Sequence, residues 1–183
     1  MIILASNSKT RAMLLKSFGV EFIQKSAFFD EDALKVDSPS HFVYRATQGK
    51  MGAYLEEFKL GEYPVLCADT VVTCKGEILR KAKGEDDARR ILKAQSGGVV
   101  SIITCMILKS PTREFIDLSS TDYLFREFDE AKLEVYLKSG EWKDKAGACM
   151  VEGFCKEYIK ETRGYESTAM GLCVEKLLPY LEG

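Results

Sequence analysis

The chain is poor in histidine: His41 is the only one among 183 residues. A Ser-His-Asp or Cys-His triad would have to be built on that single imidazole, which disfavours triad hydrolysis. Six cysteines occur, at positions 67, 74, 105, 149, 155 and 173. No pair is spaced C-x-x-C, so the clustered Cys and His ligands of a structural zinc site are missing. Their density is far below that of a disulfide scaffold. Most lie in apolar runs, as Cys105 does in IITCMIL, and reduced, buried thiols are expected. Long hydrophobic runs are absent too. The longest, residues 97–108, contains Ser101 and Thr104 and falls short of the roughly 20 residues a membrane-spanning helix needs. MIILASNSKTR has no basic stretch before its apolar run and does not read as a signal peptide. A cytoplasmic protein without a membrane partner is expected. Finally, no charge of one sign dominates: 26 Lys+Arg against 28 Asp+Glu leave a net −2, with a pI of about 5.6. A nucleic-acid partner is disfavoured, because such proteins carry a basic face. A local cluster of cations could still hold one small phosphate ligand.

What is present is ordinary globular material, 46% apolar and 30% charged, enough to offset the cost of ordering the chain. The length fits one compact domain, 1–183, or two small lobes sharing one core. Composition leaves the oligomeric state open, a homodimer included. Strand and helix patterns alternate. Met1–Ala5 reads as a buried strand, and Ser8 as the N-cap of a helix ended by Gly19. Glu21–Ser26 alternates as a strand. Phe28–Asp37 reads as a loop, and Ser38-Pro39 opens a helix that should run to about Phe58 and end at Gly61. Pro64–Ala68 and Val71–Cys74 read as strand material broken by Asp69-Thr70, with a hairpin turn at Lys75-Gly76. Gly84–Gln95 reads as a helix with acidic residues crowding its first turn. Val99–Leu108 is the strongest strand, and Phe115–Phe125 its antiparallel neighbour. Asp129–Lys138 reads as a helix, Phe154–Thr162 as a strand and Thr168–Leu181 as a closing helix. The sum is an α/β fold with a mixed sheet.

Four places carry residues suited to chemistry. The turn L-A-S-N-S-K-T-R, Leu4 to Arg11, combines a helix N-terminus with the hydroxyls of Ser6 and Ser8 and the charges of Lys9 and Arg11, which suits an anion. In C-A-D-T-V-V, Asp69 sits between apolar strand segments, where a buried carboxylate needs partners; it reads as a turn cap, a metal ligand or a general base. Glu31, Lys50 and Lys81 are single charges. Glu31 and Asp69 could share a hard cation through oxygen ligands, and the lysines could neutralise phosphate. The stretch Ser139 to Gly153, with three glycines and Lys143-Asp144-Lys145, reads as a binding loop or a tight connection. These residues alone do not specify a reaction.

Taken together and in order, the segments resemble the Maf family of nucleotide pyrophosphatases, also known as septum formation inhibitors. Its opening L-A-S-x-S-P-R-R-x-x-L-L is matched by L-A-S-N-S-K-T-R-A-M-L-L. Its acidic pair is matched by Asp30-Glu31, its helical Lys-Ala by Lys50-Met51, and its A-D-T-V-V by Ala68 to Val72. Lys81-Ala82 stands for Lys-Pro, Gln95-Ser96-Gly97 for L-S-G, and Gly140 to Gly153 for G-E-x-x-D-K-A-G-A-Y-G-I-Q-G. Gly164-Tyr165 and Met170-Gly171-Leu172 resemble its closing motif.

The resemblance implies a two-lobed α/β fold with a mixed, twisted sheet flanked by helices around a central cleft. It implies hydrolysis of a nucleoside triphosphate to the monophosphate and pyrophosphate with a divalent cation, Mg²⁺ or Mn²⁺. Asp69 falls on the family's catalytic aspartate. Ser6, Ser8, Arg11, Lys50 and Lys81 fall on or beside substrate positions, and Glu31 with Asp69 on metal positions. Thr70 falls where the subgroup acting on dTTP and UTP carries Thr. Thr10 and Glu152 replace the family's Arg and Gln at positions tied to base choice. Exchanging Gln for Glu replaces an amide with an acceptor-only carboxylate, so an altered base preference is expected. A non-catalytic nucleotide-binding regulator of cell division is the competing reading. Retention of Asp69, Glu31, Lys50 and Lys81 together weighs against it.

Overall fold

Short apolar strands that alternate with helices call for a sheet covered by those helices, and the strands Val65–Cys74 and Val99–Lys109 are buried along most of their length. The structure is a computed structural model that describes residues 1–36 and 38–181, apart from the side chain of Asp32. The last position of the loop expected over 28–37 lies outside the described residues. Strands β1 (Ile2–Leu4), β2 (Phe22–Gln24), β3 (Val65–Cys74), β4 (Glu77–Ile78), β5 (Val99–Lys109), β6 (Glu114–Phe125) and β7 (Ile159–Arg163) form one seven-stranded sheet. Its order is β2-β1-β3-β5-β6-β7, with β4 paired to β3. β1 runs parallel to β2 and β3, whereas β3–β4 and β6–β7 are antiparallel. The sheet is therefore mixed. Helices α1 (Lys9–Ser17), α2 (Pro39–Phe58), α3 (Glu85–Gln95), α4 (Glu130–Ser139), α5 (Glu166–Ala169) and α6 (Val174–Leu177) complete the α/β fold. No helix among the described residues is long and apolar enough to cross a membrane.

The chain divides into two compact units, residues 1–70, 103–120 and 165–183 in the first and 71–102 with 121–164 in the second. In the first unit the period of two along the strands sends alternate side chains to two clusters. Leu4, Leu66, Ala68, Met106 and Leu108 pack with α1 and α6 residues such as Leu15 and Leu177. Ala5, Val65, Cys67 and Ile107 pack with Met51 and Tyr54 of α2. In the second unit Phe125, Phe128, Tyr136, Phe154 and Tyr158 make a chain of ring contacts. The buried Gln95 amide donates to the Gly147 carbonyl at 2.6 Å. Tyr136 donates to the Ala148 carbonyl at 3.0 Å, and together these bonds tie the middle of the 139–153 stretch to α3 and α4.

Four expectations are corrected. β3 is continuous through Asp69-Thr70, because Asp69 finds a side-chain partner and has no need of a turn. α2 runs to Phe58 as expected, but the residue that stops it is Lys59 at positive φ (62°), two residues before Gly61. Residues 154–158 form a 3₁₀ segment ahead of β7. The closing helix is split into α5, α6 and a 3₁₀ turn at Leu178–Tyr180, with Gly171 at φ +108° between the first two. The cysteines also differ from expectation: Cys149 and Cys155 form a disulfide, while Cys67, Cys74, Cys105 and Cys173 are free and buried.

Candidate active site

Ser8 caps α1 through its hydroxyl, which accepts the Arg11 amide at 3.3 Å. Ser6 Oγ accepts the Ser8 amide at 3.2 Å. This fixes the β1–α1 turn and directs Arg11 inward. Its guanidinium is half-buried and held on three sides. Nε donates to the Gly171 carbonyl at 3.0 Å, one Nη to Ser6 Oγ at 3.2 Å and the other Nη to Thr70 Oγ1 at 3.2 Å. Five donors minus three leaves one N–H on each Nη, a fork matched to two oxygens of a phosphate. The approach needs Gly171: a Cβ there would lie 3.2 Å from Arg11 Nε and 3.4 Å from Thr70 Oγ1, and the backbone is in a region side chains rarely adopt.

Asp69 lies on β3 with 5% of its surface exposed. Lys50, projecting from α2, bonds to it directly and reaches Glu31 at 2.6 Å. Glu31 opens a single 3₁₀ turn, Glu31–Ala33, in the segment between β2 and α2. One ammonium thus sits between two carboxylates. Burial raises the Asp69 pKa; Lys50 opposes this and Glu31 reinforces it. For Glu31, burial would also raise the pKa. The Lys50 hydrogen bond and charge outweigh it, with help from Asp69 and Arg11, and hold the carboxyl below its usual range. The two carboxyls are thus shifted in opposite directions, Asp69 up by burial and Glu31 down by Lys50. Burial lowers the pKa of Arg11, against the pull of Asp69 and Glu31.

Seven expected site residues, Ser6, Ser8, Arg11, Glu31, Lys50, Asp69 and Thr70, belong to the first unit and are linked as described. Thr10 is in the same unit, exposed on the first turn of α1. Lys81 and Glu152 belong to the second unit and are exposed; Lys81 forms an isolated antiparallel bridge with Ala146. Among the described residues no group of three or more His, Cys, Asp or Glu could hold a metal ion. Two partners were not expected, Thr104, whose Oγ1 lies 2.9 Å from Thr70 Oγ1, and Gly171, whose carbonyl accepts from Arg11. Thr104 is a polar residue inside an apolar strand, and that mismatch is the signal that could have found it.

The whole chain, residues 1–183, matches the family model described as Maf-like protein. It is 58% identical over 179 residues to a protein of Nitratiruptor sp., covering 97% of this chain and 96% of that one. A Helicobacter pylori protein is 40% identical over 181 residues, with 99% and 95% covered. One from Campylobacter jejuni is 36% identical over 183 residues, with 99% and 100% covered. All three relatives are named nucleoside triphosphate pyrophosphatase. An anion-ready β1–α1 turn, an aspartate buried beside a lysine, and this full-length likeness agree: the chain belongs to the Maf-like protein family.

Proposed function

We propose that the chain hydrolyses a nucleoside triphosphate to the monophosphate and pyrophosphate, with residues 1–183 working as one Maf-like domain. The observation that carries this reading is the buried Asp69, paired with Lys50, which also binds Glu31, in the same unit as the Arg11 fork. Cleavage at the α-phosphorus is mostly positioning and charge stabilisation. Asp69 accepts a proton from water. The water oxygen bonds to the α-phosphorus, the bond to the bridging oxygen breaks, and pyrophosphate leaves with the electron pair. A pKa raised by burial suits Asp69 to the base role. Arg11 and Lys50 hold phosphate oxygens. The Lys9 and Thr10 amides make no hydrogen bond among the described residues, so α1 offers two more donors to an anion. Lys81, Thr10 and Glu152 enter this reading from the family resemblance, the last two as positions that set the base.

The donor set fits a divalent cation of the Mg²⁺ type, which is commonly bound by one or two carboxylates together with substrate phosphates. Glu31 and Asp69 would hold it, and it would supply charge neutralisation at the phosphates. Pyrophosphate release across a panel of standard, methylated and deaminated triphosphates, with Mg²⁺ or Mn²⁺, tests the assignment. Turnover is expected, and Asp69→Asn is expected to reduce it about 10²–10⁴-fold. Nucleotide binding without turnover by the unaltered chain would overturn it in favour of a regulator.

A further inference from the structure

Thr104 lies on β5 and is fully buried. Its Oγ1 donates to the Thr168 carbonyl at 2.7 Å and lies 2.9 Å from Thr70 Oγ1. A hydroxyl has one hydrogen, and a carbonyl can only accept, so the Thr104 hydrogen is committed to Thr168. The Thr70 hydrogen must then point at Thr104. That leaves the Thr70 lone pairs facing Arg11, whose Nη donates to them at 3.2 Å. The chain of bonds has one polarity: Arg11 to Thr70, Thr70 to Thr104, Thr104 to the Thr168 carbonyl. Were Thr104 unable to accept, the Thr70 hydrogen would lose its buried partner, and only the Arg11 Nη donating to it would orient the Thr70 hydroxyl. All four residues belong to the first unit.

We infer that Thr104 is a positioning residue that sets the direction of the Thr70 hydroxyl and thereby locks the Arg11 fork for a triphosphate. The inference rests on the proposed function for the identity of the ligand, not for the polarity of the bonds. Thr104 itself does not touch the ligand. Thr70 acts here as a buttress, with its only hydrogen spent on Thr104.

The test uses the full chain and inorganic tripolyphosphate as the probe, with binding measured by calorimetry. Thr104→Val keeps the side-chain size and removes the acceptor; a loss of about tenfold in affinity is expected, the scale of one net hydrogen bond. Thr104→Ser restores the hydroxyl and should recover most of that loss. Thr70→Val should cost a similar factor, and adding Thr104→Val to it should cost no more, because the link is already cut. If Thr104→Val does not fold, Thr104→Cys replaces it, since a thiol is a weak acceptor. Wild-type affinity in Thr104→Val, multiplying losses in the double variant, or no tripolyphosphate binding by the parent chain would overturn the inference. Failure of the pyrophosphatase reading looks different: no pyrophosphate release, with this binding pattern intact.

Discussion

Cys67 stands two residues before Asp69 on β3 and is fully buried. Burial pushes its thiol up to about 12, against the opposing charges of Lys50 and Arg11, and pushes Cys105 up to about 11. Neither is a thiolate at neutral pH, so neither competes with Asp69 for a role in the reaction. The sign of the stability effect follows. Between the ordinary thiol value of 9.0 and 12, the unfolded chain releases protons that the folded one keeps, so stability falls as pH rises. Below 9 this contribution is fully present. Denaturation midpoints from pH 8 to 11 should fall, and Cys67→Ala should flatten part of the decline; an equally steep decline in that variant would remove Cys67 as a cause. At this scale the sequence is unevenly legible. Asp69 and Arg11 stand out because a charge inside an apolar run, or at a helix N-terminus, needs a partner. Glu31 and Lys50 are single charges whose chemistry is suitable but ordinary, and the family pattern adds the positions that set them apart from other surface charges. Thr104 signals only that it needs a partner; which one is not legible, because its bonds reach residues 34 and 64 positions away.

α2 carries Lys50, and its inner face depends on a glycine beside that lysine. A Cβ at Gly49 would fall within the ring of Phe29. That ring is seated on the helix backbone two residues before Glu31, so helix and segment are held together where their charged residues meet. Glycine inside a helix usually costs about 0.5–1 kcal/mol relative to alanine. Gly52, exposed with nothing within 4 Å of its missing Cβ, should show this ordinary behaviour. Gly52→Ala is expected to stabilise by about 0.5–1 kcal/mol. Gly49→Ala should do the opposite, by about 1–3 kcal/mol of overpacking, and should lower turnover by shifting Glu31. In a Phe29→Ala background the same change should regain its stabilising sign. Chemical denaturation of the four variants reads this; a stabilising Gly49→Ala in the parent chain would show that Phe29 is not seated as described. Most elements were legible for local reasons: Ser8, Ser38 and Asp129 all cap helices through their side chains. The misreadings are tertiary. Asp69-Thr70 suggested a break in β3 because their partners, Lys50, Arg11 and Thr104, lie on other elements. The apolar pattern runs past the true end of α5 because residues after Gly171 keep packing on α1 and β3 once the backbone has turned.

At the scale of the whole molecule, the near-zero net charge said only that no large basic face should be expected. It is compatible with cations concentrated in one small cluster, which the first unit contains in Arg11 and Lys50. The α/β class and mixed sheet followed from the alternation of elements. The Cys149–Cys155 bond did not follow, because cysteine density speaks for the average and not for two thiols only six positions apart. Cys149 lies within the 139–153 stretch, and Cys155 in the 3₁₀ segment that leads to β7. The bond therefore closes a short loop of the second unit, one that contains Glu152. By the chain-entropy relation, a loop of this length restricts the unfolded state by about 2 kcal/mol. Two measurements follow for protein kept from reductant. Denatured without reductant, the chain should titrate four thiols, Cys67, Cys74, Cys105 and Cys173, and six after reduction. Reduction of the native protein should lower its unfolding free energy by about 2 kcal/mol. Cys155→Ala should do the same in the absence of reductant and be insensitive to its addition. Six thiols titrating before any reductant is added would return all the cysteines to the reduced state that composition suggests.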